Sequence, residues 1–150
     1  MDPVSSLMIR SSLIWLVTGL VGGSLILLDA SFPGLWRTWL TPGHVHMLLV
    51  GWFLQFALGV AIWLFPRRRT PAQPRGYNEY IAMFAVLALN LGLVLRVVFE
   101  ALDRANHSWG ITTVAYAISA IAQVLAVTLI AWGLWPRVAV RPAKKSVNGG

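Results

Sequence analysis

Four apolar stretches, over about residues 12–30, 45–65, 80–102 and 109–135, dominate the chain. Crossing the hydrocarbon core of a bilayer takes about 20 mostly apolar residues. In lipid the backbone must also satisfy its own hydrogen bonds, so each stretch is expected to be a helix. The expected fold is therefore an all-α integral membrane protein, a bundle of four transmembrane helices. Composition agrees, with 57% of the 150 residues hydrophobic and 11% charged, against roughly 45–50% apolar in soluble domains. The separating segments SFPGLWRTWLTPG, PRRRTPAQPRGYNE and DRANHS contain proline, glycine or charge and are too short to fold alone. Pro136 is expected to end the fourth span.

The net charge of +7 raises the question of nucleic acid, and the placement of the basic residues answers it. Arg67, Arg68, Arg69 and Arg75 lie between spans two and three; Arg137, Arg141, Lys144 and Lys145 follow span four; Arg10 precedes span one. The opposite loops hold only Arg37 and Arg104. By the positive-inside rule both termini are cytoplasmic, and the charge encodes orientation in a bacterial-type inner membrane rather than a nucleic-acid partner. The expected layout is a membrane domain over residues 1–137 and a polar cytoplasmic tail over 138–150. LLDASFPG after span one has the look of a cleavage region, but the span is expected to be retained. There is no cysteine, which excludes disulfides, thiolate metal sites and covalent haem attachment.

All three histidines fall on the expected outer side: His44 and His46 where span two begins, and His107 in the loop before span four. Successive helical residues are about 100° apart, so residues two apart differ by about 200°. His44 and His46 therefore face opposite ways and cannot share one metal ion on an unbroken helix. A straight α-helical projection puts Leu48, Gly51, Gln55, Leu58 and Ile62 on the His44 face, and Val50, Phe53, Ala57, Val60 and Leu64 on the His46 face. Both faces are apolar enough to line a cofactor slot. Gly51 would let a flat macrocycle approach the backbone, or would serve close helix packing. The alternative for the pair is two interfacial side chains at a helix start. His107 reads either as a ligand partner for one of them or as a plain loop residue.

Span three adds Arg96 and Glu100, four residues apart within an apolar run. Charges in such a position usually face the bundle interior or a polar cavity. The two can satisfy each other, Arg96 can snorkel, or its guanidinium can hold an anionic group such as a haem propionate. Asn90 and Gln123 read as interhelical hydrogen bonds, and most of the eight tryptophans as an interfacial belt.

The run H-V-H-x-x-x-x-G-W, with a glycine seven residues after the tryptophan and then W-L-x-P-R, resembles one helix of subunit I of the haem-copper oxidase superfamily. The likeness is greatest to the cbb-type cytochrome c oxidases, with nitric oxide reductases as relatives. It is carried by His44, His46, Gly51, Trp52, Gly59, Trp63, Leu64, Pro66 and Arg67; the other spans match only as generic membrane helices. In that family the two histidines serve two different haems. The resemblance implies b-type haem, with His44 and His46 as iron ligands and Gly51, Trp52 and Arg96 beside it. Subunit I has twelve spans in three pseudo-equivalent arcs of four, so the resemblance further implies a homo-oligomer, a trimer. Each interface would then sandwich one haem between His44 of one protomer and His46 of the next.

Reduction of oxygen or nitric oxide needs an open haem position and a second metal held by about three histidines. With three histidines in all, the chain is expected to be an electron-transfer or haem-binding protein rather than a complete reductase. The main expectation is a bis-histidine, low-spin cytochrome near the outer face, exchanging electrons with a donor or acceptor that the sequence leaves unidentified. The alternatives are a haem storage, delivery or oxidase-assembly module, and a structural membrane protein without cofactor.

Overall fold

The computed structural model describes residues 1–29, 31–32, 36–67, 69–71, 73–105 and 110–138. Four helices are long and apolar enough to cross a membrane: Pro3–Leu28, Arg37–Leu64, Glu79–Arg104 and Gly110–Val138. We call the first α1. The second span consists of α2 (Trp36–His46), a π-helical segment (Met47–Leu54) and α3 (Gln55–Leu64); α4 is Glu79–Arg104 and α5 is Gly110–Val138. They run up and down. One end of the bundle holds Asp2, Arg67, Tyr77 and Arg137 and is called the basic end; the other holds His44, His46 and Arg96 and is called the histidine end.

The helices exceed the apolar stretches, for local reasons. α1 begins at Pro3 rather than near residue 12, because Pro3 suits a first helical position and the Asp2 carboxylate accepts the Ser5 amide at 2.9 Å as N-cap. The serines that break the apolar pattern are absorbed. Ser5 Oγ donates to the Gly59 carbonyl at 2.7 Å, and Ser11 and Ser12 donate to carbonyls of their own helix. The second span starts at Trp36 and carries Pro42 in its interior, so the histidines sit well inside a helix rather than at its start. Pro136 does not end α5, which continues to Val138. Membrane helices tolerate internal proline where neighbours re-satisfy the freed groups. Residues 139–150 of the expected tail lie outside the described residues.

The π segment changes which face is buried. Gly43, Met47, Gly51, Gln55 and Gly59 are all buried, at a constant spacing of four. On a pure α-helix a residue four positions on has turned about 40° past the first, so such a row would spiral off the core. Hydrogen bonds to the fifth residue widen the turn and hold the row in line. Leu48 and Leu58, which a straight projection groups with Gly51 and Gln55 on the His44 face, are consequently only half-buried.

α1 packs along all three parts of span two and also touches α4, while α5 packs mainly on α4 and meets span two only near α3. The core cluster, including Met8, Ile62, Val86, Leu89 and Ile130, lies towards the basic end. There Asp2, 7% exposed, also accepts from Arg67 Nη2 at 2.6 Å and from the Tyr77 hydroxyl at 2.9 Å. One carboxylate thus ties the start of α1 to the segment joining α3 and α4.

Burial and the Asp2 carboxylate push the Tyr77 hydroxyl up to about 12. A raised folded value favours the protonated form. The contribution is therefore complete below the ordinary tyrosine value of about 10 and is lost as pH rises through about 12. Thermal unfolding in detergent is expected to show wild type losing stability over that window relative to Tyr77→Phe; parallel alkaline limbs would show that Tyr77 contributes nothing there.

Candidate cofactor site

Both histidines lie in the α-helical part of the second span, before the π segment begins, so the offset of about 200° between them holds. His44 turns towards α1. Its Nδ1 is 2.8 Å from the Gly19 carbonyl oxygen. The ring lies over Gly23, where an added Cβ would come within 2.7 Å of Cε1. Two glycines one helical turn apart thus make the trough into which the imidazole fits. His46 is also half-buried, with its Nδ1 3.0 Å from the Pro42 carbonyl oxygen one turn back.

A carbonyl oxygen only accepts, so in each case Nδ1 carries the proton and donates it. In a neutral imidazole Nε2 is then the bare nitrogen with its lone pair available. Metal-bound histidines are typically held in this way, with the second ring N–H on a backbone carbonyl fixing tautomer and ring orientation. Neither Nε2 has a hydrogen-bond partner among the described residues. These residues therefore fit a haem iron as donors, His44 on one side of the helix and His46 on the other.

The surroundings of the two histidines differ. Of the residues expected on the His46 face, Phe53, Ala57 and Leu64 are exposed, and Val45 and Leu49 beside them are too. Val50 and Val60 on the same face are half-buried, so this side of span two is only partly covered by the described residues. On the inward side, an added Cβ at Gly51 would lie 2.6 Å from Trp15 Cγ and 2.7 Å from Leu93 Cδ2. The space beside Gly51 is thus filled by α1 and α4. Trp52 is half-buried and meets Phe53 edge-on at 6.4 Å.

Arg96 is turned towards α5. Its Nε donates to Glu100 at 3.2 Å, and its guanidinium lies 5.6 Å from the centre of the Tyr116 ring. Arg96, Glu100, Asp103, Arg104 and Tyr116 line a polar recess there. Within one chain, no described contact joins Arg96 to either histidine. His107 lies outside the described residues. Among the described residues no group of three His, Cys, Asp or Glu side chains could hold a bare metal ion.

Several polar positions escape a sequence reading. Gln55 is fully buried; its Nε2 donates to Ser11 Oγ and its Oε1 has no partner among the described residues. Asn90 makes the expected interhelical bond, accepting from Trp15 Nε1 at 2.9 Å. Gln123 instead donates within its own helix to Ser119, and it is Ser119 that reaches the Gly92 carbonyl on α4. Only the α1 cradle had a sequence signal, the glycine spacing in GLVGG.

Compared with family models, curated proteins and solved structures, the chain gives no match.

Proposed function

We propose that this chain is a multi-pass inner-membrane b-type cytochrome, with both termini cytoplasmic, that binds haem between protomers of a homo-oligomer, a trimer. The observation that carries this reading is the pair of Nδ1–H bonds to the carbonyls of Gly19 and Pro42, which leaves two Nε2 lone pairs on opposite sides of one helix. One chain cannot bring both to one iron; a ring in which the His46 side of each chain meets the His44 side of the next can. The resemblance of His44 through Arg67 to the two-haem helix of haem-copper oxidases supports the same assignment. His44 and His46 are the proposed ligands, with Trp52 beside them. Gly51 acts by letting α1 and α4 close on span two. Arg96, held by Glu100 in the chain, is the cation available for a propionate across an interface.

Bound haem would supply a one-electron couple; with His44 and His46 as its protein ligands no iron position would remain for a gas, so the proposed activity is electron transfer rather than reduction of oxygen or nitric oxide. The protein's part is to fix the imidazoles by their Nδ1 bonds and to exclude water with the apolar faces of span two. A visible spectrum of protein purified after expression with ample haem tests this. A Soret band and a sharp α band on reversible reduction are expected. No Soret band would overturn the haem assignment, and ready loss of haem to apomyoglobin without reversible reduction would replace electron transfer by haem handling.

A further inference from the structure

At the basic end, far from the histidines, a cleft of about 520 Å³ opens between the start of α4 and the end of α5. Its volume is in the range of small-ligand sites. Ile81, Ala82, Leu129 and Trp132 give it apolar walls; Tyr77 and Arg137 stand among its polar lining.

Arg137 is 7% exposed. Its Nε donates to the Pro66 carbonyl at 3.2 Å, and its Nη2 to the carbonyls of Ile62 and Phe65 at 2.9 and 2.7 Å. The guanidinium thus caps the C-terminus of α3, where carbonyls lack helical donors. Carbonyls offer only partial charge, however. Among the described residues the carboxylates form ion pairs with Arg67, Arg75 and Arg96, and none with Arg137. Nη1, with two N–H groups, has no hydrogen-bond partner among the described residues. The Asp2 carboxylate acts on Arg137 from a distance, but a nearly buried cation with no ion pair of its own is costly, and its free donors belong to a residue that lines the cleft.

We propose that this cleft is a binding site for an anionic phospholipid, whose phosphate accepts from Arg137 Nη1 while an acyl chain lies along Ile81, Leu129 and Trp132. Charge complementarity selects the anionic head, because a neutral head would leave the guanidinium without an ion-pair partner. The apolar walls, set between two helices long enough to cross a membrane, select a lipid over a soluble anion.

Native mass spectrometry of the full chain in detergent, offered phosphatidylglycerol and phosphatidylcholine together, tests the site. Phosphatidylcholine carries the same phosphate with its charge cancelled by choline. Wild type is expected to retain phosphatidylglycerol with a preference of about tenfold, set by its uncancelled headgroup charge, and Arg137→Gln to lose most of it. Arg137 also caps α3, so Gly133→Leu provides the fold-neutral variant. Gly133 lines the cleft, and an added Cβ there meets nothing within 4 Å. A leucine there is expected to obstruct the cleft and reduce lipid retention, and a melting midpoint no lower than wild type shows that the fold is kept. Equal retention of both lipids by wild type, or a preference that survives Gly133→Leu, would overturn the proposal.

Discussion

His44→Ala and His46→Ala proteins are each expected to purify without a Soret band, and His107→Ala to keep it. In a closed ring every interface is equivalent, so removing either ligand strikes every haem at once. His44 also holds α1 through its bond to Gly19, and its loss could act through the fold alone. Co-expression of the two variants separates these effects. An interface that takes His44 from a His46→Ala protomer and His46 from a His44→Ala protomer has both native ligands; random mixing makes about one quarter of the interfaces of this kind. Partial recovery of the Soret band to that level is the expected result, and it requires that His44→Ala protomers still fold. Ligation within one chain through His107 gains nothing from mixing, because each chain then binds haem, or fails to, as it does when expressed alone. Haem loss in His107→Ala with retention in one of the other variants would point to that arrangement, and a monomer in detergent with stoichiometric haem would exclude the shared site.

The spans are legible in the sequence because apolar composition over such lengths has one structural solution in lipid. The opposition of His44 and His46 is legible too, since it needs only local helical geometry and α2 stays α-helical through His46. The buried row beyond them is not. It depends on a π segment for which MLLVGWFL carries no marker except Gly51, and on a registry of four that a period of 3.6 misplaces. Nor are the long-range polar ties at the basic end. Asp2 with Tyr77 and Arg137 with Ile62 are each 75 residues apart in sequence, and nothing local to either residue announces the other. Arg96 and Glu100 could be paired from their spacing alone, yet the sequence could not say that the pair faces Tyr116 of α5 rather than the histidines.

Gly51 is where the two accounts of span two make different predictions. If the glycine admits a flat cofactor, a methyl group added there matters only when haem is bound. If it admits α1 and α4, the methyl matters in the apoprotein as well. The structure has Trp15 Cγ at 2.6 Å, Leu93 Cδ2 at 2.7 Å and Trp15 Cβ at 2.8 Å from the position an added Cβ would take. The Trp15 ring cannot simply swing away, because its Nε1 is committed to Asn90 on α4 at 2.9 Å. Relief must come from moving α1 or from unwinding the π segment. Overpacking of this kind costs about 1–3 kcal/mol, set against a gain in helix propensity of about 1 kcal/mol for replacing glycine by alanine. Gly51→Ala is therefore expected to lower the thermal midpoint of haem-free protein in detergent, and Gly51→Val to lower it further. The control is Gly133→Ala, which meets no neighbour and is expected to melt at or above wild type. An apoprotein whose midpoint is unchanged by Gly51→Ala, together with a holoprotein that loses haem, would return the glycine to the cofactor.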